Sequence, residues 1–321
     1  MLALSRGHDC LRYYCVERNL GVAGGRNHLL RTEECRNCDI VLIIDNDVVP
    51  PADYVRSLAA FLVREKGAGV AGGVVADINA YAESDGRAMS HDDLANLRSE
   101  DIKKQVLRDL TRDRIYHMGI RKDYLYAYFS ILPKCMQVIG YFKIFAALHF
   151  LFGVHVNVFP SLRSNAKYRK MIRDGLDKYE VSNVAGCSQA FRRELLDRVG
   201  FLDERFSPYG FEDADFCIRA MRAGYRNYID TNTWLLHGTD RRHATRDPLT
   251  TLVNSYKGRT ILGASVYGST AKLKAVILRL IIFIFLIDFL KSPIAATREL
   301  RSKIEGFRRG IGVLECSLGK S

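Results

Sequence analysis

Two acidic clusters stand out among the residues of this chain that could do chemistry. Asp45 and Asp47 directly follow the aliphatic run Ile40–Ile44, and a second group holds Glu212, Asp213 and Asp215. The aliphatic run predicts a buried strand, and ligands of open α/β sheets bind beyond the carboxyl ends of such strands. Two carboxylates separated by one residue can bind a hard divalent cation that also holds a diphosphate. Ordinary turn chemistry gives the same spacing, so the pair alone leaves both interpretations open.

The second acidic cluster lies at the predicted start of a helix. Its acids precede the apolar positions Phe216 and Ile218, and Gly224 supplies a helix stop. Acids in a first turn complement the helix dipole, which accounts for one or two of them. Three close carboxylates repel one another unless a cation or a proton transfer uses them. His237 follows the predicted strand Asn232–Leu236, where a histidine can be structural or a ligand.

A glycine-rich segment lies upstream of the first acidic pair. Residues 18–27 read Arg-Asn-Leu-Gly-Val-Ala-Gly-Gly-Arg-Asn, and a helical pattern follows as far as Arg31. Glycines let backbone approach a ligand closely, and Arg26 and Asn27 at a helix opening could add a charge and an amide to anion binding. The spacing matches neither a Walker loop nor a dinucleotide fingerprint. A plain glycine-rich turn before a helix is therefore the alternative.

Taken together, these segments resemble the family 2 glycosyltransferases, which have the GT-A fold. The similarity covers residues 17–80 and 180–262. Its motifs, in order, are the Asn-Leu-Gly-x-x-x-Gly-Arg-Asn segment at 19–27, Asp45-x-Asp47, Gly186 before a helix at 192–196, Val199 to Phe206, Glu212-Asp213-x-Asp215 to Arg219, Gly224-Tyr225, and His237. The resemblance implies an α/β fold, with a mixed central sheet and flanking helices.

The resemblance also implies an activity and a role for each site residue. The expected reaction is transfer of a sugar, with inversion, from a nucleotide-diphospho-sugar to an acceptor hydroxyl. Asp213 is the expected general base, with Glu212 and Asp215 as supporting polar groups. Asp45, Asp47 and His237 are expected to bind Mn²⁺ or Mg²⁺. The residues expected to contact the nucleotide-sugar are Asn19, Gly21, Arg26, Asn27, Asp45 and Arg259.

The family domain begins with a strand, a helix and a second strand that have no counterpart in this sequence. Met1 stands just before the counterpart of the third strand, which is predicted at Leu11–Val16. We therefore expect an N-terminally incomplete GT-A domain at 1–262 whose sheet lacks two strands. Either the true start lies upstream, which we favour, or the chain is a fragment, or another segment covers the open sheet edge. An apolar insert is predicted at about 115–180 and a helical tail at 263–321. The other predicted elements are a helix at Tyr54–Arg64, a strand at Gly69–Ala76 and a helix near Leu94–Leu110.

Basic and apolar residues are concentrated near the C-terminus. The net charge is +12, and residues 241–321 hold 15 Lys/Arg against 5 Asp/Glu. Ala275–Leu290 is almost wholly apolar, but it falls short of the ~20 residues that span a bilayer. Basic residues beside an apolar helix fit an anionic lipid surface, so we predict a peripheral protein on the cytoplasmic face of the plasma membrane that uses a glycan or polyprenyl-linked acceptor. A core helix with a solvated basic tail is the alternative.

The insert segment Tyr124–Phe159 permits a similar choice. It is aromatic and aliphatic with few charges, so it is either a buried helix or an element that contacts membrane or acceptor lipid. Nucleic-acid binding receives no support, because no binding motif is visible and the charge is not interleaved with stacking aromatics. A catalytically impaired scaffold of a glycan-assembly complex is the remaining alternative. The acids at 45, 47, 212, 213 and 215 argue against it.

The cysteines favour a reducing compartment. Eight cysteines in a chain of 321 residues, without an N-terminal signal segment, predict a cytosolic protein rather than a disulfide scaffold. Cys35 and Cys38 form a CxxC pair that could belong to a zinc site. No Cys/His pair follows at zinc-finger spacing, which argues against that site.

Overall fold

A computed structural model describes residues 10–78, 96–108, 115–117, 175–208, 210–238, 247–267 and 292–318 of the chain. The helices in these ranges are α1 Gly21–Leu30, α2 Glu33–Arg36, α3 Tyr54–Arg64, α4 Ser99–Arg108, α5 Glu194–Val199, α6 Glu212–Arg222, α7 Pro248–Tyr267 and α8 Pro293–Leu318. The strands are β1 Ile40–Ile44, β2 Val48–Val49, β3 Ala68–Asp77, β4 Ile115–His117, β5 Lys178–Val181, β6 Ser188–Arg192 and β7 Arg226–His237.

The described strands form one mixed sheet. Its order is β1-β6-β3-β7-β2, with β4 beside β3 and β5 beside β7. The long central strands β3 and β7 are parallel, and the other pairs are antiparallel. This arrangement confirms the predicted α/β class with a mixed sheet and flanking helices. The predictions of β1 and α3 agree with the structure at both ends.

Both faces of the sheet are buried, which explains why its central strand is rich in valine and alanine rather than alternating. Val70, Val74 and Ala76 of β3 face one apolar cluster with residues of α1, α5 and α6. Ala68, Ala71 and Val75 face a second cluster with α3. Helix α3 meets this second face through a stripe of buried side chains at helical spacing, which are Tyr54, Leu58, Phe61 and Leu62.

A third apolar cluster joins α6 to the C-terminal helices. It holds Ala214 and Ile218 of α6 together with Ile261 of α7 and Leu314 of α8. Helices α7 and α8 approach closely because α8 has glycines at the contact. A Cβ at Gly310 would lie 2.6 Å from the Cβ of Thr260. Helix α7 runs from Pro248 to Tyr267 and so includes position 262, while the predicted boundary between the two domains stays a prediction.

The N-terminal elements differ from their predictions. The strand predicted at Leu11–Val16 is wrong, because those residues form no regular element and most of their side chains are exposed. The predicted glycine-rich loop is shorter than expected, since α1 begins at Gly21 and includes Gly24. Tertiary burial of Ala23 and Leu30 stabilises this helix in spite of its glycines. Smaller shifts affect the helix near Leu94–Leu110, which spans Ser99–Arg108, and the helix at 192–196, which begins at Glu194.

Most of the two segments predicted to meet membrane or lipid lies beyond the described residues. These are the apolar insert at about 115–180, including Tyr124–Phe159, and the stretch Ala275–Leu290. Within the described ranges, no helix has both the length and the apolar character required to cross a membrane.

Candidate functional site

The first acidic pair lies where β1 ends and β2 begins. Val48 of β2 is paired with His237 at the end of β7, which brings the two chain segments together. The Asp47 carbonyl accepts the N–H of Gly238 at 2.8 Å, which fixes the backbone beside the acid. His237 Nε2 then lies 3.6 Å from Asp47 Oδ1. Two of the three predicted metal ligands are therefore neighbours.

The second cluster occupies the first turn of α6, as predicted. Glu212 is buried, whereas Asp213 is partly exposed. Asp215 lies about 200° around the helix from Asp213, at 100° per residue, so the two carboxylates point to opposite sides. The Asp215 carboxylate is buried and accepts a hydrogen bond from Arg219 at 2.7 Å. Arg219 also donates to the Phe201 carbonyl, so Asp215 helps to hold the chain that precedes α6. Its carboxylate therefore has a different set of partners from those of Glu212 and Asp213.

Asp213 is held by backbone groups and has a perturbed pKa. Its Oδ2 accepts the N–H of Gly186 at 2.9 Å, and its Oδ1 accepts the N–H of Ala214 at 2.7 Å. Burial, followed by the nearby Glu212 charge, raises the pKa of Asp213 to about 6. A carboxyl group with this pKa can gain and lose a proton near neutral pH, which is the property that general acid–base chemistry needs.

Arg26 links the two acidic clusters. Its Nη2 donates to Asp45 Oδ1 at 2.7 Å and to the Gly186 carbonyl at 3.1 Å, and its Nη1 donates to Glu212 Oε1 at 3.1 Å. Only 13% of the Arg26 side chain and 7% of the Glu212 side chain are exposed. We call Arg26, Asp45, Gly186, Glu212 and Asp213 the Arg26 cluster. It places one guanidinium among three carboxyl groups, and Glu212 Oε2 has no hydrogen-bond partner among the described residues.

Gly186 is at the centre of this cluster because it has no side chain. A Cβ at this position would lie 3.2 Å from both Arg26 Nη1 and Asp213 Oδ2. That distance is tighter than nine in ten real Cβ contacts. A larger residue would therefore displace either the guanidinium or the carboxylate.

Two site residues have no clear signal in the sequence. The thiol of Cys187 is buried, and burial together with Asp45, Asp213 and Asp47 raises its pKa to about 12. The thiol is therefore uncharged at neutral pH. Gln189 donates its amide to the carbonyls of Val184 and Asp213, at 3.0 and 3.4 Å. Both residues look like ordinary strand positions in the sequence, where only the neighbouring Gly186 motif marks the segment.

The residues predicted to contact the nucleotide separate into two groups. Arg26 and Asp45 belong to the Arg26 cluster. Asn27 is fully buried, and its amide exchanges hydrogen bonds with both backbone groups of Leu202 at 2.8 and 3.0 Å. Asn19 accepts the N–H of Gly21 at the start of α1. These last three residues therefore shape the backbone around the cluster.

Arg259 approaches the cluster from α7. Its Cζ lies 5.6 Å from the ring centre of Phe211, and its Nε donates to the Ser255 hydroxyl at 3.2 Å. Phe211 immediately precedes Glu212, so this guanidinium lies close to the start of α6. Its predicted contact with a diphosphate remains a prediction.

The donor types of the site suit a divalent cation, although the described residues do not present a complete set of ligands. No group of three His, Cys, Asp or Glu side chains among them is arranged to hold a metal ion. Asp47 and His237 fit as two ligands of Mn²⁺ or Mg²⁺, which accept oxygen and imidazole donors. Asp45 faces Arg26 instead. A cation at Asp47 and His237 would therefore need further oxygen ligands.

Comparison with family models and with curated proteins found no match for this chain. The geometry of the site and the chemistry of its residues are therefore what indicates the function of this protein.

Proposed function

We propose that this protein is an inverting glycosyltransferase of the GT-A fold. It would move a sugar from a nucleotide-diphospho-sugar to a hydroxyl of a glycan or lipid-linked acceptor at a membrane surface. The main support is the Asp213 carboxyl group, which has a pKa of about 6 beyond the strand ends of a mixed sheet. Ligands of open α/β sheets bind beyond the carboxyl ends of the strands, which supports the choice of Asp213 as the base.

Asp213 is a better general base than its neighbours. It is partly exposed, whereas Glu212 and Asp215 are buried and already paired with arginines. In the proposed reaction, Asp213 accepts the proton of the acceptor hydroxyl while that oxygen bonds to the anomeric carbon. The bond from this carbon to the diphosphate oxygen breaks on the opposite face. A single displacement of this kind inverts the anomeric configuration.

The other residues of the site would manage the charge of the donor. Asp47 and His237 would hold the divalent cation, which when bound neutralises the charge that develops on the leaving diphosphate. Arg26 keeps Asp45 and Glu212 paired, which limits the negative charge that a diphosphate would meet. Arg259, beside Phe211, supplies a second guanidinium at the same end of α6.

The proposal can be tested with two matched aspartate variants. Asp213→Asn removes the base but keeps the shape of the side chain, and Asp197→Asn changes an exposed aspartate of α5. A panel of nucleotide sugars with Mn²⁺ is first screened by thermal shift and then assayed for transfer or donor hydrolysis. We expect Asp213→Asn to retain the donor-induced shift and to lose roughly 10²–10⁴-fold in turnover, while Asp197→Asn is unaffected.

Either of two results would contradict the proposal. Undiminished turnover by Asp213→Asn would exclude Asp213 as the base. A folded wild-type protein that binds and turns over none of the nucleotide sugars would argue against the enzyme and favour the scaffold.

A further inference from the structure

The residues that lead into α6 are held by three consecutive residues of α7. Lys257 Nζ donates to the Ser207 carbonyl at 2.6 Å. Gly258 lies against Phe211, and a Cβ there would fall within 3.1 Å of two of its ring atoms. Arg259 covers the same ring. Helix α7 thus contacts both the residue where this connection begins and the residue where it ends.

Helix α1 holds the same connection from the other side. The N–H of Val22 donates to the Pro208 carbonyl at 2.9 Å, and Gly21 leaves no room for a side chain against Ser207 and Pro208. The carbonyls of Ser207 and Pro208 thus accept hydrogen bonds from two different helices, α7 and α1. A displacement of either helix would move the connection and the acids that follow it.

The connection needs external support because its last residue has an unfavourable backbone conformation. Phe211 has φ 74°, in the left-handed region that bulky residues avoid. Its side chain gives α6 no capping hydrogen bond. The residue after Phe211 is Glu212, whose carboxylate is paired with Arg26, and the next is Asp213. Contacts that keep Phe211 in place therefore also fix the position of the first turn of α6, which carries the Asp213 carboxylate.

We propose that Lys257 is a positioning residue for Asp213, acting through the Ser207 carbonyl. Its ammonium is half-buried beside Arg309, and burial and this like charge lower its pKa. Placing a cation there is unfavourable, and the hydrogen bond to the Ser207 carbonyl, together with the charge of Asp203, offsets part of that cost. The consequence for catalysis rests on the proposed function. The expected effect on the order of the first turn of α6 is independent of the proposed function.

Three lysine variants and one readout that needs no substrate test this role. Lys257→Met removes the donor and keeps the apolar stem, Lys257→Arg restores a donor, and Lys303→Met removes a buried lysine of α8 that pairs with Glu299. Hydrogen–deuterium exchange is followed at the amides of residues 212–216. We expect exchange about tenfold or more faster in Lys257→Met, near wild type in Lys257→Arg, and unchanged in Lys303→Met.

Kinetics then separate positioning from general destabilisation. With any donor that the wild type uses, Lys257→Met should lower kcat by roughly tenfold to a hundredfold and leave the donor KM within about twofold, since a displaced base slows chemistry more than binding. If Lys257→Met does not fold, Lys257→Gln, whose side chain is shorter and uncharged, replaces it with the same expectation.

The two proposals fail in different ways. Wild-type exchange rates at 212–216 in both Lys257→Met and Lys257→Gln would overturn the positioning role, whatever the activity. Faster exchange in Lys303→Met as well would also overturn it, because the effect would then be general. A wild type without activity on any donor would refute the proposed function, and the exchange data would still decide the role of Lys257.

Discussion

Breaking the ion pair between Arg26 and Glu212 should be among the most destabilising single changes in the site. The guanidinium and carboxylate are 3.1 Å apart and about nine-tenths buried. Arg26→Met keeps an unbranched apolar stem and removes the charge. It leaves the Glu212 carboxylate buried, and that group already has one oxygen without a partner among the described residues.

The size of the effect follows from what each variant leaves behind. Removing one partner of a buried pair costs about 3–5 kcal/mol, because the other charge stays without compensation. Glu212→Gln should cost less, roughly 1 kcal/mol, because the Arg26 guanidinium that remains still donates to the Asp45 carboxylate and to the Gly186 carbonyl. In the Glu212→Gln background, Arg26→Met no longer leaves a buried carboxylate without its partner. We therefore expect a coupling energy of about 2 kcal/mol between the two substitutions. The Arg26–Asp45 pair adds little, because 37% of the Asp45 side chain is exposed.

The assay is urea unfolding at pH 7.5 of the wild type, both single variants and the double variant. Trp234 is the single tryptophan and is fully buried, so its fluorescence reports loss of the core. Arg193→Met serves as the control, because it breaks an ion pair with an exposed carboxylate, that of Asp197. A coupling energy below about 0.5 kcal/mol would refute the reasoning, since exposed pairs give values of that size.

Three further predictions concern α1 and Asp213. Asn27→Ala should cost about 2–4 kcal/mol in urea unfolding, because both buried backbone groups of Leu202 lose their partner. Gly21→Ala should destabilise by roughly 1–3 kcal/mol in the same assay, because φ is +72° there, although alanine favours helices. Transfer activity should fall as the pH decreases through about 6, where Asp213 becomes protonated. Glu212→Gln should move this fall to lower pH, because it removes the negative charge that, after burial, raises the pKa of Asp213.

Each of these predictions has a contrary outcome. A loss below about 1 kcal/mol in Asn27→Ala would show that the two hydrogen bonds to Leu202 contribute little to stability. A more stable Gly21→Ala would show that helix propensity outweighs the backbone strain. An acid limb that stays in place in Glu212→Gln would mean that burial alone sets the pKa of Asp213.

The pH dependence of stability gives an independent check on Asp213. Because its folded-state pKa is raised, it contributes stability below its unfolded value near 4, and this contribution is lost as the pH rises through about 6. The free energy of unfolding of Asp213→Asn should therefore increase relative to that of the wild type as the pH rises from 4 to 7. A constant difference across that range would mean that the carboxyl group is not perturbed.

Local sequence pattern was enough to predict two of the regular elements of the sheet and its flanking helices. The apolar run at Ile40–Ile44 correctly predicted a strand, and the amphipathic stretch Tyr54–Arg64 correctly predicted a helix. Both patterns depend only on residues that are close together in the sequence. The acids at the start of α6 were predicted for the same reason. The strand expected at Leu11–Val16 failed because an apolar run becomes a strand only when a neighbouring strand offers backbone partners.

Residue types and local pattern thus suffice to find the groups that could do acid–base chemistry and the elements that carry them. The part that each acid plays depends on tertiary contacts. Asp213 and Asp215 are two positions apart in the sequence, yet helix geometry turns one toward Gly186 and the other toward Arg219. The pairing of Arg26 with Asp45 and Glu212 joins residues separated by 19 and 186 positions. Burial and neighbouring charge, which set the pKa of Asp213, exist only once these distant segments are folded together.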